Sequence, residues 1–424
     1  MLILSHPTGN ANVRAAASGL NNAGILKEFH TSIATYPGNL FYKLSKIGPL
    51  AEIGRRSYDP LLEPITKMWP WREIGRMLAT KTGIRSLVKH EKGFFSVDAV
   101  YQAQDKRTAS IIKTEGQSEL TGVYAYEDGA TYSFLEAKKV GLLCFYDLPI
   151  GYWRAARRLL ESEKSRWPEW LPTLTGFSDS EQKLVGKDAE LEIADCIFVA
   201  STFTADTLKD YPGKLPEIKV IPYGFPAVGP ERAYDFHLKK RKLKLLFVGG
   251  LSQRKGIADL FAAAEELKDQ VELTVVGHKS ANDCPALDAA LLNCNWIPTL
   301  PHAEVLKLMR DFDVFVFPSL FEGFGLVITE AMSQGTPVLT TERTAGPDLI
   351  VHGENGWLVK AGSTIDLKNA IVYLLDHPEE LEKAGKKARE AAIARPWAVY
   401  GGELAEAVKS MLKSKTISQA KKIE

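Results

Sequence analysis

The chain has 424 residues, 45% apolar and 25% charged with a formal net charge of +1; it is long enough for two or three well-buried domains, and its balanced charge excludes nucleic acid as the main partner. No apolar run approaches the roughly 18 residues of a membrane span, and Met1-Leu2-Ile3-Leu4 leads straight into Ser5, His6 and Pro7, short of a secretion-signal core. The cysteines lack zinc spacing, and Cys144 and Cys196 lie inside the apolar runs LLCFY and CIFVA, which fits buried reduced thiols in a cytosolic protein.

In chain order, Leu2 to Ser5 reads as a strand, residues 6–10 as a turn, Ala11 to Ala23 as a helix ended by Gly24, and Phe29 to Thr35 as a second strand. This is the opening of a doubly wound α/β domain, whose ligand crevice lies at the turn after the first strand. Gly9 and Asn10 are therefore site candidates, with an ordinary turn as the alternative since G-x-G-x-x-G is absent; Asn12 and Arg14 also reach toward the crevice. Residues 38–93 break the rhythm, with 11 Lys/Arg against 5 Asp/Glu and with Phe41, Tyr42, Met68, Trp69, Trp71 and Met77 interleaved. They read as an insertion of short helices with a solvated basic face, or as a surface for an anionic membrane or a lipid-linked acceptor.

The α/β pattern returns with a helix over Val97 to Ile112, a strand over Gly122 to Tyr126, a helix over Thr131 to Lys138 and a strand over Val140 to Tyr146. That strand delivers Asp147 to the edge where sites form, as a site group or as a cap of the next segment. Trp153, Trp167 and Trp170 follow among several arginines, for sugar stacking or for packing. Cys196 to Ala200 is a strand, Ser201 caps the helix after it, and Pro222 to Lys242, rich in Pro, Gly and charge, is the expected hinge.

Beyond the hinge, the strand Leu243 to Val248 ends at Gly249-Gly250, and the loop LSQRKG leads to a helix over Ile257 to Leu267. Glycines at a strand end admit a nucleotide, and Arg254 and Lys255 beside a diphosphate would neutralise a leaving group; the alternative is a solvated basic turn. Strands over Val271 to Val276 and Asn295 to Ile297 and a helix over His302 to Met309 come next. Asp311-Phe312-Asp313 lies at a helix-to-strand junction, away from the strand's C-terminal edge, so no metal is expected there. Then DVFVFPSLFEGFGLVITEAMSQGTPVLT, residues 313–340, reads as strand, Gly-rich turn, helix over Leu326 to Gln334, and strand. The amides at Phe324, Gly325 and Leu326 open a helix and suit phosphate. Glu330, deeper in that helix, suits ribose hydroxyls; Glu322, before it, suits a hexose hydroxyl or a cationic transition state. Helices over Ser363 to Leu375, Pro378 to Ile393 and Glu403 to Leu412 close the chain, with a Lys-rich tail from Lys413.

Framed by PSLFEGFG and EAMSQGTPV, Glu322 and Glu330 stand as E-x7-E, and the stretch resembles the signature of the family 4 retaining glycosyltransferases. The resemblance spans about residues 1–400 and is strongest in the C-terminal half. It implies the GT-B type of fold: two Rossmann-like doubly wound α/β domains facing across a cleft, with an acceptor domain over 1–228, a donor domain over 229–394, and a helix over 395–424 crossing back. By the same resemblance Lys255 matches the Lys of a Lys-Gly pair at the donor diphosphate, Arg254 substitutes for an Arg the family carries at Gly250, and the loop from Ile297 offers backbone groups to the base. The Gly9 loop faces the donor phosphates, and Tyr146-Asp147 replaces a family His-Asp, leaving Asp147 as the polar group. The implied reaction transfers a sugar from a nucleotide diphosphate sugar to a hydroxyl of a carbohydrate or lipid-linked acceptor, with retention, in polysaccharide or glycolipid synthesis. It needs no metal or cofactor, and the setting is cytoplasmic or peripheral on the inner membrane face through 38–93. A nucleotide-sugar epimerase and a non-catalytic nucleotide-sugar-binding protein are the alternatives on the same architecture.

Overall fold

The computed structural model describes residues 1–115, 120–174, 178–234, 241–281 and 283–420. Continuously apolar segments such as LILS, CIFV and VFVF are buried along their whole length, as strands covered by helices on both faces must be. They build two sheets. The first contains β1 (Leu2–Ser5), β2 (Leu26–Thr31), β3 (Thr66–Met68), β4 (Gly122–Tyr126), β5 (Leu143–Leu148), β6 (Cys196–Val199) and β7 (Glu217–Val220), in the order β3-β2-β1-β4-β5-β6-β7. The second contains β8 (Leu243–Val248), β9 (Val271–Val276), β10 (Asn295–Ile297), β11 (Val314–Phe317), β12 (Val338–Thr341) and β13 (Gly356–Val359), in the order β10-β9-β8-β11-β12-β13. Every pairing is parallel. The strand order reverses beside β1 and β8, so each sheet has its crevice at the C-terminal ends of those strands. No helix among the described residues is long and apolar enough to cross a membrane.

Three elements differ from expectation. β2 starts at Leu26 because Gly24, at φ 69°, turns the chain at once and Ile25 donates back to Leu20 O. Gly141, at φ 74°, does the same before β5, which therefore runs to Leu148. The insertion 38–93 is not purely helical: alongside 3-10 turns and the helix Trp71–Lys81 it adds β3 to the sheet edge, Phe29 opposite Thr66. β3, β7 and β13 are short edge strands, and β3 and β7 have no fully buried residue. β3 and β7 therefore lack the apolar signature that marks the central strands.

The two domains are tied by the chain's end. The helix Trp397–Ala420 packs on Ala11–Asn22 so closely that a Cβ on Gly19 would stand 2.1 Å from Gly401 O. Arg395 donates to Pro222 O (2.6 Å) and to Glu403 (2.6 Å), and Phe225 N donates to Arg395 O (2.9 Å). Of the expected hinge, residues 235–240, with Lys239 and Lys240, lie outside the described residues. Arg232 and Tyr234 before them bond to Phe312 O and Gly335 O of the second domain.

Candidate functional site

The strand β8 ends at Gly249, whose carbonyl lies 1.8 Å from where a Cβ on Gly277 would stand, so residue 277 must be glycine. The loop that follows folds into a 3-10 turn, Gln253–Lys255, capped by Ser252 Oγ and closed by Gly256 at φ 69°. A Cβ there would meet Pro318 O at 2.0 Å, so the turn is pressed against the end of β11. That contact aims Arg254 and Lys255 at the loop 319–325. Arg254 Nη1 donates to Phe321 O (2.6 Å) and Glu322 Oε2 (3.2 Å), and Lys255 Nζ donates to the same Glu322 oxygen. Lys255 also stands 4.8 Å over the Phe317 ring. Burial pushes the Glu322 carboxyl up, but Lys255 and Arg254 more than offset this and hold it below the usual carboxylate range. Burial lowers the Lys255 ammonium, against the attraction of Glu322.

The same loop is locked to the first domain. Ser201 Oγ and Thr204 Oγ1 both donate to Gly323 O, at 2.6 and 2.7 Å, and a Cβ on Gly323 would stand 2.1 Å from Pro149 O. Ser201 also caps its own helix, so one hydroxyl fixes that helix and the loop carrying Glu322. Gly325, at φ 86° and ψ 68°, then starts the helix Leu326–Ser333 with no side-chain cap, which leaves its first amides facing a cleft of about 710 Å³.

Of the positions singled out from sequence, Gly9, Asn10, Gly249, Lys255, Glu322, Phe324, Gly325 and Leu326 line this one cleft. Gly9 is a tight fit, since a Cβ on it would meet the Tyr58 hydroxyl oxygen at 2.5 Å. Phe324 contributes backbone only: its ring is buried against Tyr223, 4.9 Å between centroids, in the aromatic cluster with Trp397 and Tyr400. Arg254 reaches the site through Glu322. Glu330, 17% exposed, lies outside the cleft lining and accepts from His302 Nε2 at 2.9 Å, a bond that raises the His302 pKa.

Gly250 and Ile297 are also absent from the lining. Gly250 is exposed beside Ser280, and the Ile297 carbonyl is committed to Gly277 N at 3.0 Å, because Ile297 serves the pairing of β9 and β10. Asp147 requires a correction. It is not a cleft residue but a buried one, hydrogen-bonded by Tyr124 Oη at 2.6 Å among Tyr126, Tyr223 and Tyr400. The residue after the apolar strand is itself part of β5 and points into the core. Asp313, the last acid of the D-x-D, accepts from Arg241 (2.6 Å) and Lys244 N (2.8 Å) and clips β11 to β8.

Other cleft residues carried no signal of their own in the sequence. His6, Arg55, Tyr101 and Tyr126 line the cleft, and His302 belongs to the helix before β11. The isolated H-P-T-G turn after β1 was the one available pointer to His6. Arg14, noted as reaching toward the crevice, does line it. Burial lowers the His6 imidazole to about 4, so it is neutral at pH 7.

Burial also raises the Asp147 carboxyl to about 7. Its folded value thus exceeds the unfolded one near 3.8, so its contribution to stability is complete below that value and is lost as pH rises through about 7. Three units correspond to about 4 kcal/mol. Asp147→Asn is therefore expected to gain stability over the parent as pH rises from 5 to 8, in chemical denaturation at each pH. A difference between the two that does not change with pH counts against a protonated Asp147.

Two doubly wound domains around a cleft walled by strand-end glycines, helix-start amides and paired cations define a protein of the GT-B fold. Sucrose-phosphate synthase from Thermosynechococcus elongatus has the same architecture, with a TM-score of 0.62 at 19% identity over 97% of this chain and 99% of that one. Anabaena Alr3699/HepE in complex with UDP-glucose superposes with a TM-score of 0.56 at 15% identity over 96% and 99% of the two chains. Within the fold, residues 232–391 match the family described as "Glycosyl transferases group 1". The glycogen synthase of Mycobacterium tuberculosis is 26% identical over 263 residues, 59% of this chain and 60% of that protein. The amylovoran biosynthesis glycosyltransferase AmsK of Erwinia amylovora is 29% identical over 205 residues, 39% and 50% of the two. The chain thus spans about three-fifths of the length of the first relative and half of the second.

Proposed function

We propose that the protein is a glycosyltransferase that moves a sugar from a nucleoside diphosphate sugar to a hydroxyl of a carbohydrate or lipid-linked acceptor, with retention, in polysaccharide or glycolipid assembly. The observation that carries this reading is the convergence of Lys255 and Arg254 on Glu322 beside the uncapped start of Leu326–Ser333. A cleft with two cations and free amides on one wall suits a diphosphate, and a half-buried ionised carboxylate beside them suits the sugar that the diphosphate carries. Support comes from the match to the glycosyl transferase family and from relatives named for polymer synthesis. Further support is that HepE has been solved with UDP-glucose.

In this reading the amides of Gly325 and Leu326, with Lys255 and Arg254, hold the diphosphate. Glu330, oriented by His302, takes the ribose hydroxyls. Glu322 faces the hexose and the positive charge that builds at its anomeric carbon. The Gly9 loop faces the donor phosphates, and the acceptor enters from the first domain on the face the diphosphate leaves. The anomeric carbon–phosphate oxygen bond breaks, the bond to the acceptor oxygen forms on the same face, and a phosphate oxygen takes the acceptor's proton. The chain's work is positioning and charge stabilisation.

Glu322→Gln tests the sugar-side role. It removes the carboxylate charge while leaving Lys255 and Arg254 in place. Turnover is expected to fall by at least about tenfold, as for loss of a charge aimed at the transition state, while the nucleotide diphosphate Kd stays within about twofold. Turnover equal to the parent's removes Glu322 from the reaction.

A further inference from the structure

The helix Val97–Glu115 presents Val97, Asp98 and Tyr101 to the cleft, and Ala99, Ala103, Lys106 and Arg107 to a second pocket of about 410 Å³. The opposite wall of that pocket is Ser32 just beyond β2, Trp69 just beyond β3, and Trp71 and Arg72 at the start of Trp71–Lys81. The insertion thus does more than extend the sheet: it builds a concavity beside the cleft, on the same strand-end side of the first domain.

The lining is all one sign. Arg72, Lys106 and Arg107 surround the pocket, and no Asp or Glu lines it. Among the described residues none of these three cations forms an ion pair with a carboxylate. Instead each is laid over an aromatic ring. The Arg72 guanidinium lies over both the Trp71 and Phe94 rings, 4.6 and 4.5 Å from their centroids, and donates to Phe94 O at 2.6 Å. Arg107 lies 5.2 Å over Trp69, and Lys106 lies 4.7 Å over Tyr132. Stacking of this kind holds a guanidinium in place without spending its charge. Gln104 also belongs to the lining, 3% exposed, with neither its amide nitrogen nor its amide oxygen hydrogen-bonded. A buried amide with both ends unpaired is costly. Trp71 is 53% exposed at the rim.

We propose that this pocket is a subsite for an acidic saccharide, a sugar unit bearing a carboxylate or a phosphate. The indoles stack on the pyranose ring, and the cations take the anionic group. The volume falls in the range of small-ligand pockets and holds about one or two hexose units. The cations ring a concavity, which favours a saccharide over a membrane; Trp71 and Phe94, both exposed, stand at its rim, so vesicle binding is measured in the same experiment. The inference does not rest on the donor site, which is measured separately in the same experiment.

The test is calorimetric titration of the full chain with hexa-α-1,4-galacturonate, glucose 6-phosphate, neutral maltohexaose, inorganic phosphate and UDP. The carboxylate or the phosphate sugar is expected to bind at least about tenfold more tightly than maltohexaose, and whichever does so identifies the anion. Lys106→Ala, Arg107→Ala and Trp71→Ala, all changes at exposed side chains, are each expected to weaken that binding by about tenfold. UDP affinity should stay within about twofold of the parent's, which also shows that each variant is folded. Equal affinity for maltohexaose, unchanged binding in the variants, or binding of inorganic phosphate alone overturns the proposal. So does loss, in the variants, of binding to phosphatidylglycerol vesicles when no saccharide binds. Failure of UDP to bind while the acidic saccharide does leaves this subsite standing and removes the donor reading.

Discussion

Lys255→Ala is expected to lower turnover about 10² to 10³-fold, the loss seen when a donor aimed at developing negative charge is removed. The structure gives the reason. Lys255 is half-buried over Phe317, paired with Glu322, and held on a turn that Gly256 presses against Pro318 O. Its ammonium is therefore placed before the substrate arrives, and an interaction made without reorganisation is worth most as the diphosphate leaves. Arg254 does not replace it, because Arg254 is also bound to Phe321 O at 2.6 Å. Nucleotide diphosphate release under saturating donor is the readout. Turnover within about threefold of the parent's, far short of the expected loss, contradicts the role given to the pair.

Glu73→Ala is expected to cost about 3–5 kcal/mol, because it strips one partner from a buried ionic cluster and leaves the other charge uncompensated. Glu73 is 0% exposed; it accepts from Arg56, itself 9% exposed, and from Arg76 at 2.7 Å through both Nε and Nη2. This cluster closes the insertion on itself, joining the 3-10 turn Gly48–Arg56 to the helix Trp71–Lys81. The loss reaches the cleft, since Arg55 lines it and Tyr58 packs under Gly9. Urea denaturation followed by hydrogen exchange over residues 48–81 is the measurement. A loss below about 1 kcal/mol, or protection retained across the insertion, shows that the cluster is not what holds it.

Local signals carried the second domain further than the first. In β8, β9 and β10 and in the helix His302–Met309 the ends fall where the apolar runs and glycines place them. The reason is that strand, Gly turn and helix alternate without interruption. The pairing of Arg254 and Lys255 with Glu322 was not legible: sequence separated a diphosphate side from a sugar side, and the fold folds them into one cluster across 67 positions. His302 with Glu330 is of the same kind, a bond between two helices 28 residues apart. Asp147 was misplaced because a polar residue after an apolar run looks like a strand end. Only the tyrosine cage from β4, the linker and the C-terminal helix makes its burial possible. The edge strand β3 stayed hidden in TKM, whose polarity is tolerable only at a sheet margin.

The central claim is that the uncapped helix start and the Lys255 turn grip an activated sugar. A thermal-shift screen of uridine, guanosine and adenosine diphosphate sugars against the parent and Lys255→Ala addresses it most directly. A ligand at 100 times its Kd stabilises the folded state by about 2.7 kcal/mol. The account predicts that sugars on one base raise the parent's melting temperature and that the same ligands shift Lys255→Ala much less. No shift with any of them, or an equal shift in both proteins, contradicts it.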